Sequence, residues 1–268
     1  MSNIDKQYQD LLGKILGYGS YINSRNSVTK RLGTQMLQFD STPIITVRKT
    51  SWKLALREME WFLSGSNNIN DLHSSVHNWW KPWANEDGTI PNLYGEQLRA
   101  FKGKYGFTDQ IEYLINNIIK DPYSRRNVIS CWNTNDMINK ETNITNCHGS
   151  MIQTFISSSK VLDLTMYQRS ADVMLGVPHN WIQYWALMQY LAHHTGTIVG
   201  TFTWLSGDTH IYEDHIPTAI EITKLKLDPN SINPILTYNP TSDSFKADDF
   251  SLIGEYNPII NTKLKMTV

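Results

Sequence analysis

Cysteine is nearly absent from this chain of 268 residues, which contains two, Cys131 and Cys147. Two thiols supply neither a disulfide framework nor a Cys-rich zinc site, so one of them is left as a candidate reactive group. Long apolar runs are absent as well. Nothing approaches the roughly 20 consecutive apolar residues of a membrane span, and the opening Met1-Ser-Asn-Ile-Asp-Lys6 lacks the apolar centre of a signal peptide, which leads us to expect a cytoplasmic protein. An excess of charge of either sign is also missing: 24 Lys and Arg against 25 Asp and Glu leave a net charge of -1. This argues against a general nucleic-acid or membrane-surface binder and leaves room only for a local Arg cluster around a small anion. There is no Pro/Ser-rich linker, internal repeat, Walker loop or Gly-x-Gly-x-x-Gly, so a single α/β or α+β domain over residues 1–268 is expected.

Aromatic residues are plentiful, with nine Trp and thirteen Tyr. Helical spacing is expected over residues 5–16, ending at Gly17, and over Trp52–Leu63, where Glu58 and Glu60 interrupt the apolar pattern. The spacing alone favours holding both carboxylates at the surface with Arg57 and Lys53. A third helix is expected after a Thr108 cap, and the longest from Asn180 to Thr195, apolar around most of its circumference and closed by Gly196. Residues 33–39, Pro43–Val47, Asn127–Trp132, 198–205 and a hairpin across 149–169 read as strands. His73 and His77 are four apart, but no third ligand completes a zinc site. Trp79, Trp80 and Trp83 suit either a core or a flat stacking surface, and the sequence leaves both open.

The chemistry concentrates between Asn146-Cys-His148 and Tyr167-Gln-Arg-Ser-Ala-Asp172, followed by Leu175-Gly-Val-Pro-His-Asn180. A thiol, a guanidinium, a carboxylate and an amide in one stretch suit covalent chemistry on a small anionic ligand. Ser124-Arg125-Arg126 adds planar guanidinium forks of the kind that hold phosphate.

At Cys147-His148, Tyr167-Gln-Arg-Ser-x-Asp172, Leu175-Gly-Val-Pro-x-Asn180 and Gly207-Asp-Thr-His-x-Tyr212 the sequence resembles the thymidylate synthase family. Further matches are Pro43 to Thr46, Arg57-Glu58-x-x-Trp61-Phe-Leu63, Trp80 with Trp83, Tyr94-Gly95, Asp121-Pro-x-Ser-Arg-Arg126 and Trp132-Asn133, so the resemblance covers nearly the whole chain in order. It implies an α+β fold, one domain with a large mixed sheet flanked by helices, forming a homodimer through that sheet. It also implies a Cys147 thiolate that adds to C6 of a pyrimidine deoxynucleotide, with 5,10-methylenetetrahydrofolate as the one-carbon donor.

By the same resemblance Arg169 is the cation beside Cys147, and His148 belongs to the catalytic group. Arg25, Arg125, Arg126, Arg169 and Ser170 surround the 5′-phosphate, with Arg125 and Arg126 lent across the dimer. His210 and Tyr212 hold the deoxyribose, Glu58 moves protons, and Tyr94 assists removal of the C5 proton. Trp80, Trp83, Asp172, Gly176, His179 and the terminal Val268 meet or close over the folate. The loop after Arg25 is shorter than the family pattern. Asn180 can donate to uracil O4 and accept from N3–H, which points to dUMP as substrate.

Three departures lie on the folate side: Glu60 where a leucine is usual, Lys81 between the tryptophans, and His179 in place of a phenylalanine. Glu58-x-Glu60-Trp61 is similar to the phage deoxycytidylate hydroxymethylases, and a polar folate wall favours quenching by water. The leading expectation is therefore a dUMP hydroxymethylase, in the host cytoplasm if phage-encoded. The alternatives are a thymidylate synthase and a regulator that binds nucleotide or folate without turnover.

Overall fold

A computed structural model describes residues 4–24, 27–139, 146–228 and 231–266. Arg25 and Val268 lie outside the described residues. Helix α1 (Ile4–Tyr18) is followed by β1 (Ser20–Asn23), β2 (Val28–Leu32), β3 (Gln35–Phe39) and α2 (Trp52–Ser64). Next come α3 (His77–Trp80), α4 (Tyr94–Arg99), the small hairpin β4 (Phe101–Gly103) and β5 (Gly106–Thr108), and α5 (Gln110–Lys120). Then follow β6 (Val128–Ile129), α6 (Thr134–Asn139), β7 (Met151–Ile156), β8 (Val161–Asp172), α7 (Gly176–Thr195) and β9 (Ile198–Tyr212). The chain ends with α8 (Ile216–Lys224) and the pair β10 (Ile235–Tyr238) and β11 (Phe250–Ile253).

Among the described residues the main sheet has seven strands, ordered β1-β2-β9-β8-β7-β6, with β3 also pairing with β9. β8 and β9 run parallel, whereas the other pairs are antiparallel, so the sheet is mixed and the domain is α+β. The parallel pair requires a crossover, and α7 supplies it. Because α7 packs against the sheet on one side and α2 on the other, it is buried around nearly its whole surface, and Trp181 meets Trp204 of β9 edge-on at 5.5 Å. A Trp181→Ala change in this layer costs about 3–5 kcal/mol.

β8 shows how the sheet sets up the site. Leu162, Leu164, Met166 and Gln168 are buried under the helices, while Val161, Asp163, Thr165, Tyr167 and Arg169 face the other, half-open side. Two-residue alternation thus sends Gln168 toward α7 and Arg169 away from it.

Several expected boundaries move. Gly17 lies inside α1, and the turn comes at Gly19, where a Cβ would sit 2.5 Å from the Ile15 carbonyl. The cap of α5 is Asp109, whose carboxylate accepts from the Glu112 amide at 2.9 Å, and not Thr108. α7 begins at Gly176, because Pro178 falls in the first turn, where its missing N–H has no helical partner to lose. Pro43–Val47 is no strand. It is an irregular segment pinned by buried Asp5, which accepts from the amides of Thr46 (2.6 Å) and Val47 (3.2 Å), from the Thr46 hydroxyl (2.5 Å) and from Asn233 (3.3 Å). Gly196, with φ 64°, closes α7 in the left-handed conformation.

Candidate functional site

Cys147 lies just before β7, where its carbonyl accepts from the Arg169 amide at 2.9 Å. That bond places the two residues side by side, with Arg169 Nη2 3.7 Å from Cys147 Sγ. Arg169 is held by its Nε–H, donated to the Asn146 carbonyl at 2.9 Å, and by the Trp132 ring, whose centre lies 5.0 Å from the guanidinium carbon. Burial pushes the Cys147 thiol above its ordinary pKa, and the Arg169 charge pulls it back only in part. The cation is where the sequence placed it, but desolvation outweighs it. Cys131 is buried, and its thiol is pushed up to about 12.

Tyr94, at the start of α4, accepts with its hydroxyl oxygen from the amides of Cys147 (2.7 Å) and His148 (3.3 Å). Burial, reinforced by Cys147, holds it well above the usual phenol pKa, so it stays protonated. His148 stacks on Tyr94 with ring centres 4.1 Å apart, and its Nδ1 is 2.9 Å from the Tyr184 hydroxyl. Burial lowers its pKa to about 3. Its place is that of a neutral ring stacked under Tyr94.

Glu58 is buried, contrary to the surface pairing with Arg57 and Lys53 that spacing favoured; those two cations meet Asp248 instead. Its Oε1 accepts from Trp80 Nε1 at 2.6 Å and its Oε2 from Gln183 Nε2 at 2.7 Å. Burial raises its pKa to about 7, against the opposing pull of those two hydrogen bonds. Gln183 Oε1 in turn accepts from Asn180 Nδ2 at 3.0 Å, and Asn180 Oδ1 accepts from Gln168 Nε2 at 3.0 Å. Gln168 Oε1 accepts from Trp204 Nε1 at 2.9 Å. Gln168 and Gln183 were not singled out in the sequence; one stands inside the Tyr167 motif and the other three residues after Asn180, on the same face of α7.

Glu60 points away from this chain of bonds. Its oxygens accept from Lys246 Nζ at 3.2 Å and from the Ala247 amide at 2.9 Å, beside an outer groove of about 950 Å³ lined also by Arg57, Asp71, His73 and Arg99. Residues two apart on a helix face opposite sides, and α2 obeys that rule. His179 is no open polar gap either: its Nδ1 is 2.8 Å from the Leu175 carbonyl, its Nε2 accepts from the Ser51 amide at 3.3 Å, and Trp79 lies edge-on at 5.1 Å. Burial brings it down to about 4, leaving a neutral ring. Lys81 is exposed.

Trp80 is buried and Trp83 half-buried, so the tryptophans divide between core and surface. Asp172 Oδ1 accepts from the amides of Met174 (2.9 Å) and Leu175 (3.3 Å), fixing the turn that enters α7 at Gly176. Ser170 lies one residue beyond Arg169, with its amide 3.4 Å from the Cys147 carbonyl. His210 is buried, with Nδ1 2.9 Å from Asp208 Oδ1, and Asp208 Oδ2 accepts from Arg31 at 2.9 Å; the Tyr212 ring stands at 90° to the imidazole. Arg125 and Arg126 are exposed beyond α5. Among the described residues no group of three or more His, Cys, Asp or Glu is arranged to hold a metal, and no helix is long and apolar enough to cross a membrane.

The family model described as thymidylate synthase matches residues 6–268. A protein of Corynebacterium aurimucosum named thymidylate synthase is 33% identical over 271 residues, covering 99% of this chain and 98% of that protein. With the guanidinium set beside the thiol and the match running through nearly the whole chain, this protein belongs to the thymidylate synthase family, whose one-carbon donor is 5,10-methylenetetrahydrofolate.

Proposed function

We propose that the chain is a thymidylate synthase, converting dUMP to dTMP through a covalent adduct on Cys147. The observation that carries the covalent step is the Arg169 guanidinium 3.7 Å from Cys147 Sγ, fixed by Asn146 and Trp132. Sγ bonds to C6 of the uracil, the thiol proton leaves, and C5 becomes the carbon that attacks the one-carbon unit. Arg169 stabilises the thiolate as it forms. Asn180, with one amide N–H and one oxygen lone pair beyond its bonds to Gln183 and Gln168, reads O4 and N3–H of the base. Glu58, with a pKa near 7, is poised to carry protons at neutral pH. Tyr94 remains a phenol and orients the group that takes the C5 proton.

The residues fit a reduced folate: Trp80, Trp83 and the Trp79–His179 pair offer aromatic surface, and Asp172 Oδ2 offers a carboxylate oxygen not used by the Met174 and Leu175 amides. When bound, that folate supplies the methylene carbon and then the hydride that reduces it to methyl.

Two of the three departures that favoured the hydroxymethyl product lose their physical basis. Glu60 is turned to the outer groove and His179 is neutral with both ring nitrogens engaged, so neither delivers water to the site. The name of the Corynebacterium relative supports the methyl product as well. Arg169 lies on the half-open face of the sheet, and a second copy packed there brings its exposed Arg125 and Arg126 to the same phosphate. Mixing inactive Arg126→Ala and Cys147→Ser proteins tests that arrangement: heterodimers carrying one intact site recover activity, and no recovery after subunit exchange removes the shared site. The product is tested by mass spectrometry of the nucleotide with absorbance of the folate. One dTMP and one dihydrofolate per turnover are expected, whereas 5-hydroxymethyl-dUMP with tetrahydrofolate overturns the proposal.

A further inference from the structure

We propose that Gln183 is a positioning residue that locks Asn180 and Glu58 into one fixed donor–acceptor sequence, coupling the choice of uracil over cytosine to the protonation of Glu58. This rests on the reading above, in which Asn180 reads the base and Glu58 carries protons.

The direction of the hydrogen-bond chain is set at its two ends. Trp204 Nε1–H can only donate, so the Gln168 atom facing it is oxygen, and the Gln168 amide nitrogen must face Asn180. Asn180 therefore presents oxygen to Gln168 and nitrogen to Gln183, and Gln183 presents oxygen to Asn180 and nitrogen to Glu58. At the far end Glu58 accepts from Gln183 and from Trp80, whose indole N–H again only donates. Gln183 is fully buried and both its amide N–H groups are used, since Nε2 also donates to the Ala55 carbonyl at 3.2 Å.

The order matters because uracil and cytosine present their hydrogen-bonding edges in opposite sense: O4 accepts and N3–H donates in uracil, whereas the cytosine amino group donates and N3 accepts. A flipped Asn180 amide would serve cytosine. In the locked chain that flip sets nitrogen against the Gln168 nitrogen and oxygen against the Gln183 oxygen, and neither buried contact can be satisfied. The same Gln183 amide draws the Glu58 carboxyl downward against its burial. The titratable groups on Glu58's own helix are Lys53, Arg57 and Glu60. Those on the elements packed against it are Tyr94, Glu96 and Arg99 of α4, His179, Tyr184, Tyr190, His193 and His194 of α7, His73 before α3 and His77 at its start, and Asp248 and Asp249 before β11. None of these is among the causes of the Glu58 shift, which are burial, Trp80 and Gln183.

Two substitutions separate the functions of the one amide. Gln183→Met keeps the shape and removes both bonds; Gln183→Glu keeps an oxygen toward Asn180 and removes the N–H toward Glu58. For Gln183→Met the kcat/KM ratio of dUMP to dCMP is expected to fall about tenfold, and the Glu58 carboxyl, followed by NMR of 13C-labelled protein, to titrate about one pH unit higher. For Gln183→Glu the base ratio stays within about twofold of the parent while the titration moves up by at least as much. Equal losses on both nucleotides, with the Glu58 titration unmoved, would mean that Gln183 only packs, and the proposal fails. Should Gln183→Met not fold, the near-isosteric Gln183→Glu decides by its Glu58 titration: a rise supports the lock and no change overturns it. If the parent protein transfers no carbon to dUMP, the proposed function fails by itself, and the carboxyl titration with calorimetric binding of dUMP and dCMP still decides the role of Gln183.

Discussion

The two faces of α2 carry carboxylates two residues apart and treat them in opposite ways. On the inner face Glu58 is sealed from water, bonded to two neutral donors and raised to about 7. On the outer face Glu60 is half-exposed and pairs with Lys246 at the rim of a polar groove. The same functional group becomes a buried carboxyl with a raised pKa in one place and a surface tie in the other. The difference is made by burial and by whether the partners are neutral or charged, not by sequence spacing.

The sharpest way to break the comparison is at the inner wall's nucleophile. Cys147→Ser is expected to reduce turnover by at least about 10³-fold while dUMP binding, measured by calorimetry, changes little, because an alcohol does not ionise as the thiol does. Retained turnover would return Cys147 to the packing residues. Asn180→Asp comes next: preference measured as the ratio of kcat/KM values should move from dUMP toward dCMP by about 10²-fold, since a carboxylate accepts from the cytosine amino group and a protonated one donates to the ring nitrogen. An unchanged ratio would show that another group reads the base.

Glu58→Gln tests the inner carboxyl by activity and by stability together. Turnover should fall about 10²-fold with the loss of proton transfer. Stability moves the other way. The folded pKa of Glu58 is raised from 4.5 to about 7, so between those values the folded state holds a proton that the unfolded state has released. Its burial therefore costs nothing at pH 4 and weakens the fold increasingly up to pH 7, by about 3 kcal/mol in order of magnitude, and by a constant amount above. Glu58→Gln should accordingly melt higher than the parent at pH 8, with the gap closing toward pH 5. His148 and His179, held neutral with pKa values of about 3 and 4, act in the opposite sense by weakening the fold as pH falls below 6.5, but they are common to both proteins and cancel in the difference. A gap that does not depend on pH would show that Glu58 is not raised.

The smallest effect belongs to the outer face. Glu60→Leu should leave the product as dTMP and change kcat by less than about twofold, with a stability loss of no more than about 1 kcal/mol from the exposed pair with Lys246. A change in the product ratio would restore Glu60 to the site.

Much of the inner wall was legible in the sequence because its residues sit in contiguous motifs: Cys147 with His148, Arg169 with Ser170 and Asp172, His210 with Tyr212. Helical periodicity also located α2 and the core of α7. Less legible were features that depend on long-range approach. Gln183 reads as one polar residue in an apolar helix, and its meaning appears only when α2 brings Glu58 within 2.7 Å. Spacing favoured the surface for both Glu58 and Glu60 and did not show that Glu58 faces inward, and the apolar Pro43–Val47 run reads as a strand until Asp5 is seen to take its amides. The expectation of a hydroxymethyl product loses support for the same kind of reason, since Glu60 was judged by its place in a motif before its side chain had a direction.

The anchoring of α1 has a consequence for how the protein is made. Asp5 is tied to Thr46, Val47 and Asn233, Tyr8 to the Val173 carbonyl at 2.9 Å, and Gln9 to the carbonyls of Ile222 and Leu225. Most of these partners are synthesised long after the helix has left the ribosome, so α1 waits with its apolar stripe of Tyr8, Leu11, Leu12 and Ile15 uncovered until α8 and the segment beyond it emerge. A polypeptide that stops before residue 222 keeps the Thr46, Val47 and Val173 anchors but lacks those at Ile222, Leu225 and Asn233, so its first helix is only partly seated.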